Sequence, residues 1–273
     1  MTKFAVQTIH LPGSDVAEQF ANAARYGYDA VEVAVGPDFD ILARFKDVEA
    51  ASKQAGIPVC ALCTHPIHDP LHPDPAEQKK RFAVLGDLLG AAEALGANGV
   101  VSVPVRPPVT FDDVPWGERW PRLRDKLVDA LAQWTTSLPA GSAALLLEPL
   151  NRYETYFLNR VGQAAEIAEA VKHPRVKVLA DLFHMNIEET SLGDPIRAAG
   201  SLVGHVHIAD NNRLQPGLGF MDFRPAFSAL RAIGYEGFVS IECWSPDGPK
   251  IAGAADEALP AAARFMRAQF AHA

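Results

Sequence analysis

Four residues of chemically useful type recur along the second half of the chain, each where an apolar run gives out. They are Glu148 after AALLL, Asp181 after VKVLA, His207 within VGHVHI and Glu242 after FVSI. Successive members lie roughly one strand-plus-helix unit apart. Three carboxylates and an imidazole brought to one place would repel one another strongly unless a divalent cation sat between them. Oxygen-rich ligation with a single nitrogen suits Mn²⁺, Mg²⁺ or Co²⁺ better than a structural zinc site, which favours Cys and His. Singly, each residue has a plainer explanation: a solvated rim glutamate, a helix cap at Asp181, and core packing for one of His205 and His207, which share a strand face. Together they would have to fall by accident at the same height on neighbouring strands.

The elements that must position them are short β-rich runs: FAVQTI (4–9), AVEVAV (30–35), PVCALCT (58–64), GVVSVPV (99–105), AALLLEPL (143–150), VKVLADLF (176–183), VGHVHIAD (203–210) and FVSIECW (238–244). Helical patterns separate them, most clearly over 75–96. There Asp74 offers an N-cap, Pro75 suits the first position, Phe82, Leu85, Leu89, Ala92 and Leu95 share a face, and Gly96 closes the end. Eight strands alternating with helices predict an α/β fold, a parallel sheet closed as a single (β/α)8 TIM barrel, with residues 1–273 as one domain. A doubly wound open sheet is the competitor, but QTIHLPGSD stands where a GxGxxG turn would follow the first strand.

Composition narrows the function. A net charge of −8 disfavours a grip on nucleic-acid phosphates, which needs clustered Lys and Arg. Cys60, Cys63 and Cys243 are too few and too irregular for a disulfide framework, and the CxxC of Cys60 and Cys63 has no second pair. The N-terminal MTKFAVQTIHLPG is too polar for a signal peptide, and no run approaches the roughly 18 apolar residues of a membrane span. A cytoplasmic protein acting on a small polar molecule is the expectation.

EPLNRYE (148–154), DLFHMNIEE (181–189), GHVHIADNNRLQPGLG (204–219) and IECW (241–244) resemble the signature segments of the ketose 3-epimerase family. These are relatives of D-tagatose 3-epimerase and D-psicose (allulose) 3-epimerase in the xylose-isomerase-like barrel superfamily. The close match covers roughly residues 143–244. The resemblance implies that Glu148, Asp181, His207 and Glu242 bind one divalent metal, usually manganese, and that Glu148 and Glu242 are also the acid and base. It implies that Glu154, His184 and Arg213 hydrogen-bond the substrate, and that the protein is a homodimer or homotetramer. Removing a proton beside a ketone leaves an enolate, which a Lewis acid stabilises as a cis-enediolate, and inversion needs a proton-handling group on each face. The expected activity is therefore C3 epimerisation of a free ketose.

Several features bear on alternatives. Aldose–ketose, hydroxypyruvate or keto-sugar-acid isomerisation would keep the same metal site. A DNA-repair endonuclease shares the barrel but needs a trinuclear zinc site; here the fourth strand ends VPVRPP without a histidine, and DFR (222–224) replaces Asp-x-His. A non-catalytic sugar-binding module is the remaining reading. His65, His68 and His72 crowd the third loop, and Trp116 and Trp120 the fourth, as candidate pocket groups or as ordinary loop and packing residues.

Overall fold

Each apolar run pairs in parallel with its neighbours, and in the computed structural model, which describes residues 2–273, the ladder closes on itself. The strands are β1 (Lys3–Gln7), β2 (Ala30–Val35), β3 (Val59–Thr64), β4 (Gly99–Ser102), β5 (Ala144–Leu147), β6 (Val176–Asp181), β7 (Val203–Ile208) and β8 (Phe238–Ile241). Closure is made by β1 against β8, with Phe4 opposite Val239 and Val6 opposite Ile241. The helices are α1 (Val16–Arg25), α2 (Ile41–Ala55), α3 (Pro75–Ala94), α4 (Arg119–Thr135), α5 (Val161–Val171), α6 (Leu182–Glu188), α7 (Asp194–Ala199), α8 (Arg224–Ala232) and α9 (Ala255–Ala271). The chain is thus a (β/α)8 TIM barrel.

Strand alternation divides the apolar residues between two cores. Val6, Val33, Leu62, Leu145, Val178, Val206 and Val239 face outward into the layer shared with the helices. Ala61, Val101, Ala144, Leu146 and Leu179 face inward, with Cys63 against them. That inner apolar cluster belongs to β3–β6. On β7, β8, β1 and β2 the inward positions carry His205, His207, Ser240, Gln7 and Glu32, all buried, with a small apolar cluster of Ala5, Ala30, Cys60 and Phe238 one pleat below.

α3 begins as expected: the Asp74 carboxylate accepts the Ala76 N–H, and Phe82, Leu85, Leu89 and Ala92 are buried. Its helical turns stop at Ala94, and Gly96 takes a φ of +70° just beyond. Several strands are shorter than their apolar runs. β4 stops at Ser102, yet Val103 and Val105 stay buried because the following loop folds back, with Pro104 O accepting from Leu71 N–H and Val105 O from Thr155 Oγ1. Among the described residues no helix is long and apolar enough to cross a membrane.

Candidate active site

The four residues read from the strand ends meet at the C-terminal mouth of the barrel. Glu148 and Glu242 each lie one residue past their strand, and each backbone N–H continues the ladder, to Ser102 O at 3.1 Å and Ile208 O at 3.2 Å. Asp181 is the last residue of β6 and also the N-cap of α6. Its Oδ1 accepts from Phe183 N–H at 2.7 Å and His184 N–H at 3.0 Å, which leaves Oδ2 for the site. The two explanations open for Asp181 are therefore compatible, one per oxygen. His207 Nδ1 faces all three acids: Glu148 Oε1 at 3.1 Å, Glu242 Oε2 at 3.5 Å and Asp181 Oδ2 at 3.9 Å.

Two imidazoles border this cluster, and hydrogen bonding separates their roles. His184 Nδ1 takes the backbone N–H of Asn151 at 3.1 Å, with the Asn151 side-chain amide at 2.9 Å. An N–H can only donate, so a neutral His184 carries its proton on Nε2. That atom is buried without a hydrogen-bond partner, 3.8 Å from Asp181 Oδ2. It can donate to an oxygen placed in the site, but as a protonated nitrogen it is no metal ligand. His207 is arranged the other way round. Its Nε2 lies 2.9 and 3.1 Å from the two oxygens of Glu32, so a neutral His207 carries its proton there and keeps the Nδ1 lone pair for a cation. Without a cation, a second proton on Nδ1 faces the acids.

The electrostatics follow from crowding. Burial pushes the Glu148 carboxyl up, and the Glu242 charge adds to it. Burial acts on Glu242 in the same sense, yet the His207 charge and hydrogen bond, with Arg213 beyond, hold it far below the usual carboxylate range. His207 is raised well above an ordinary imidazole because Glu32, Glu242 and Glu148 outweigh its own desolvation. A proton on His207 thus partly neutralises the acids, and a divalent cation would do so more completely. Three carboxylate oxygens and one imidazole lone pair fit Mn²⁺, Mg²⁺ or Co²⁺ as a donor set.

Above the cluster, Glu154 pairs with the Arg213 guanidinium and accepts from Asn151 Nδ2 at 2.9 Å. Arg213 has a left-handed φ of +62°, and its guanidinium lies over the rings of Phe183, at 4.8 Å, and Trp244, at 5.4 Å. Glu154, His184 and Arg213 are therefore gathered on one side of the mouth.

The other singled-out residues are held by partners of their own, although the Arg106 charge still acts on Glu148. His65 Nδ1 and His72 Nδ1 accept the backbone N–H groups of Ile67 and Asp74, turning the third loop, and His68 is half-buried there. Trp120 packs on Phe157, whereas Trp116 is 73% exposed beneath Arg119. Arg106, where a histidine would extend the metal site, forms a two-pronged pair with buried Asp69. Arg224 is engaged with Asp222 in the same way. Three neighbours of the site are not assigned to it by the sequence: Glu32, Gln7 and Cys63, the last read only as part of an isolated CxxC. The Cys63 thiol lies 3.8 Å from Glu242 Oε1, and Gln7 Nε2 lies 3.1 Å from the same oxygen. The available signal was the pair of inward histidines on β7, which calls for a carboxylate across the barrel.

Comparison with known proteins agrees with this geometry. Residues 20–269 match the family model described as xylose isomerase-like TIM barrel. A 3-dehydro-D-guloside 4-epimerase of Escherichia coli K12 is 32% identical over 84% of this chain and 87% of its own length. A D-psicose 3-epimerase of Ruminiclostridium cellulolyticum is 30% identical, over 84% of this chain and 78% of its own. The crystal structure of a D-psicose 3-epimerase with D-tagatose, from Clostridium cellulolyticum H10, superposes with a TM-score of 0.81 at 25% identity, covering 98% of this chain and 99% of the other. Epimerases are isomerases, and relatives of this kind support sugar epimerisation as the general chemistry. On fold, family model and sequence likeness alike, the chain belongs to the xylose isomerase-like TIM barrel family, among its ketose 3-epimerase relatives.

Proposed function

We propose that this protein is a divalent-metal-dependent epimerase that inverts C3 of a free ketose, with Glu148 and Glu242 as its acid/base pair. The observation that carries the reading is the convergence of Glu148 Oε1 and Glu242 Oε2 on one imidazole nitrogen, at 3.1 and 3.5 Å. Carboxylates arriving from β5 and β8 can reach opposite faces of a planar intermediate. One glutamate takes the proton from the carbon beside the ketone, and the other returns a proton to the opposite face. Which acts first depends on the configuration of the substrate. His184 Nε2–H donates to the oxygen on which negative charge develops, while Arg213 and Glu154 orient the neighbouring hydroxyl. Glu148, Asp181, His207 and Glu242 would hold the cation, Mn²⁺ by preference with Mg²⁺ or Co²⁺ as alternatives. The chemistry supplied by a bound cation is polarisation of the carbonyl and neutralisation of the enediolate charge.

A second reading rests on the Escherichia coli relative, named a 3-dehydro-D-guloside 4-epimerase. The step is the same, proton exchange beside a ketone, moved along the sugar to C4 of a 3-keto substrate. A panel of 2-ketoses, 3-keto glycosides and aldoses incubated with Mn²⁺-loaded protein in D₂O, read by NMR, separates the two. Deuterium at C3 of a ketose is the expected result. Incorporation at C4 of a 3-keto sugar would move the protein to the second reading, and at C1 or C2 to an aldose–ketose isomerase. No exchange anywhere would overturn epimerisation.

In this reading residues 1–273 work as one cytoplasmic domain, assembled as a homodimer or homotetramer, without nucleic-acid or membrane partners. Support for assembly comes from the βα-loop face, where Trp116, Tyr153 and Phe220 are 73, 82 and 84% exposed.

A further inference from the structure

Glu32 sits midway along β2, fully buried and facing the barrel interior. It accepts from His205 Nε2 at 2.6 Å, His207 Nε2 at 2.9 Å and Gln7 Nε2 at 2.7 Å. A buried carboxylate is costly unless its oxygens are hydrogen-bonded, and these three donors engage both of them. Two consequences reach the mouth. With its Nε2 proton committed to Glu32, a neutral His207 presents its Nδ1 lone pair to the cation site, and the carboxylate makes that nitrogen more basic. The Gln7 amide has two protons, one directed to Glu32 Oε1 at 2.7 Å and the other to Glu242 Oε1 at 3.1 Å. The reversed amide would set its carbonyl against two carboxylates, so the orientation is fixed. Cys63 also approaches Glu242 Oε1, and Oε2 is the oxygen left facing His207 Nδ1.

We infer that Glu32 and Gln7 are positioning residues for the proposed reaction: Glu32 sets the tautomer of His207, and Gln7 selects which oxygen of Glu242 faces the reacting centre. The inference rests on the cation site proposed above. Neither residue reaches that site itself, so both act from beneath it.

The test is Mn²⁺ affinity, measured by competition with a chelator, on wild type, Glu32→Gln and Gln7→Leu. A glutamine at position 32 sets an amide donor against the donors of His205, His207 and Gln7, and the dissociation constant should rise about 10- to 100-fold. Gln7→Leu leaves the Glu32 to His207 bond in place, so its affinity should change less while kcat falls about tenfold at little-changed KM. Glu32→Gln binding as tightly as wild type would overturn the role of Glu32, and unchanged kcat in Gln7→Leu that of Gln7. Failure of wild type to bind Mn²⁺ would instead remove the cation site and this inference with it. Should Glu32→Gln not fold, ¹⁵N-histidine NMR of wild type loaded with diamagnetic Mg²⁺ decides the tautomer. His207 should be protonated at Nε2 and bare at Nδ1; the reverse would overturn the inference.

Discussion

The two sides of the barrel interior support the site in different ways. Glu148 and Asp181 stand on apolar columns, with Ala144 and Leu146 below one and Leu179 below the other. His207 and Glu242 stand on a polar layer made by His205, Ser240, Gln7 and Glu32. An apolar column fixes the height of a side chain by packing but does not select among its atoms. A polar layer also chooses which nitrogen or oxygen faces upward where its donors meet acceptors, as at Glu32 and Gln7, although Ser240 Oγ and His205 Nδ1 stay without a partner there.

The largest effects should ignore the distinction. Glu148→Gln, above the apolar side, and Glu242→Gln, above the polar side, should each lower the exchange rate about 10³-fold or more, since either lost proton-handling group stops inversion. Near-normal turnover in either variant, followed by deuterium incorporation, would remove that residue from the acid/base pair. The next comparison separates folding from function. Leu146 is buried at 1% exposure, and Leu146→Ala should cost about 3 kcal/mol in urea unfolding. In the folded variant, Mn²⁺ affinity should stay within about twofold of wild type. A large loss of affinity would mean that the apolar column also selects atoms, and the contrast would fail.

A smaller effect belongs to the loop beside the polar layer. His10 is buried, its Nε2 accepts the Cys243 N–H at 3.1 Å, and burial lowers its pKa from 6.5 to about 4, against the pull of Glu242 and Glu32. A group depressed in this way stabilises the fold above its unfolded pKa, and that contribution fades as pH falls from about 6.5 towards 4. Between pH 7 and pH 5 the loss attributable to His10 should be about 2 kcal/mol. His10→Gln retains an acceptor but does not titrate there, so the difference between the two unfolding profiles isolates it. Parallel pH profiles would show that His10 does not carry the effect.

The same contrast explains what could be read from the sequence. Glu148, Asp181 and Glu242 announce themselves because each interrupts an apolar run at a strand end, where a barrel exposes its chemistry. Glu32 lies inside AVEVAV, a pattern equally suited to a half-buried strand with one polar face in water. Its burial is tolerable only because β7 supplies two histidines from across the barrel, a pairing written nowhere near it in the chain. Gln7 is hidden in FAVQTI for the same reason. The apolar runs overshoot β4 and β5 because residues beyond the last strand positions remain buried, and hydrophobicity reports burial rather than pairing.

The junction at Asp181 limits how such a barrel can be remodelled. β6 ends at Asp181 and α6 begins at Leu182, whereas residues 103–118 separate β4 from α4. Beyond Arg106, whose charge acts on Glu148, the β4 loop can gain or lose residues and reshape the mouth without breaking a bond to a proposed metal ligand. An insertion between Asp181 and His184 would break a helix cap, displace an acid and swing the His184 donor away in one event. New substrate preferences in this architecture should therefore arise by lengthening the β4 loop, while the β6–α6 joint keeps its length.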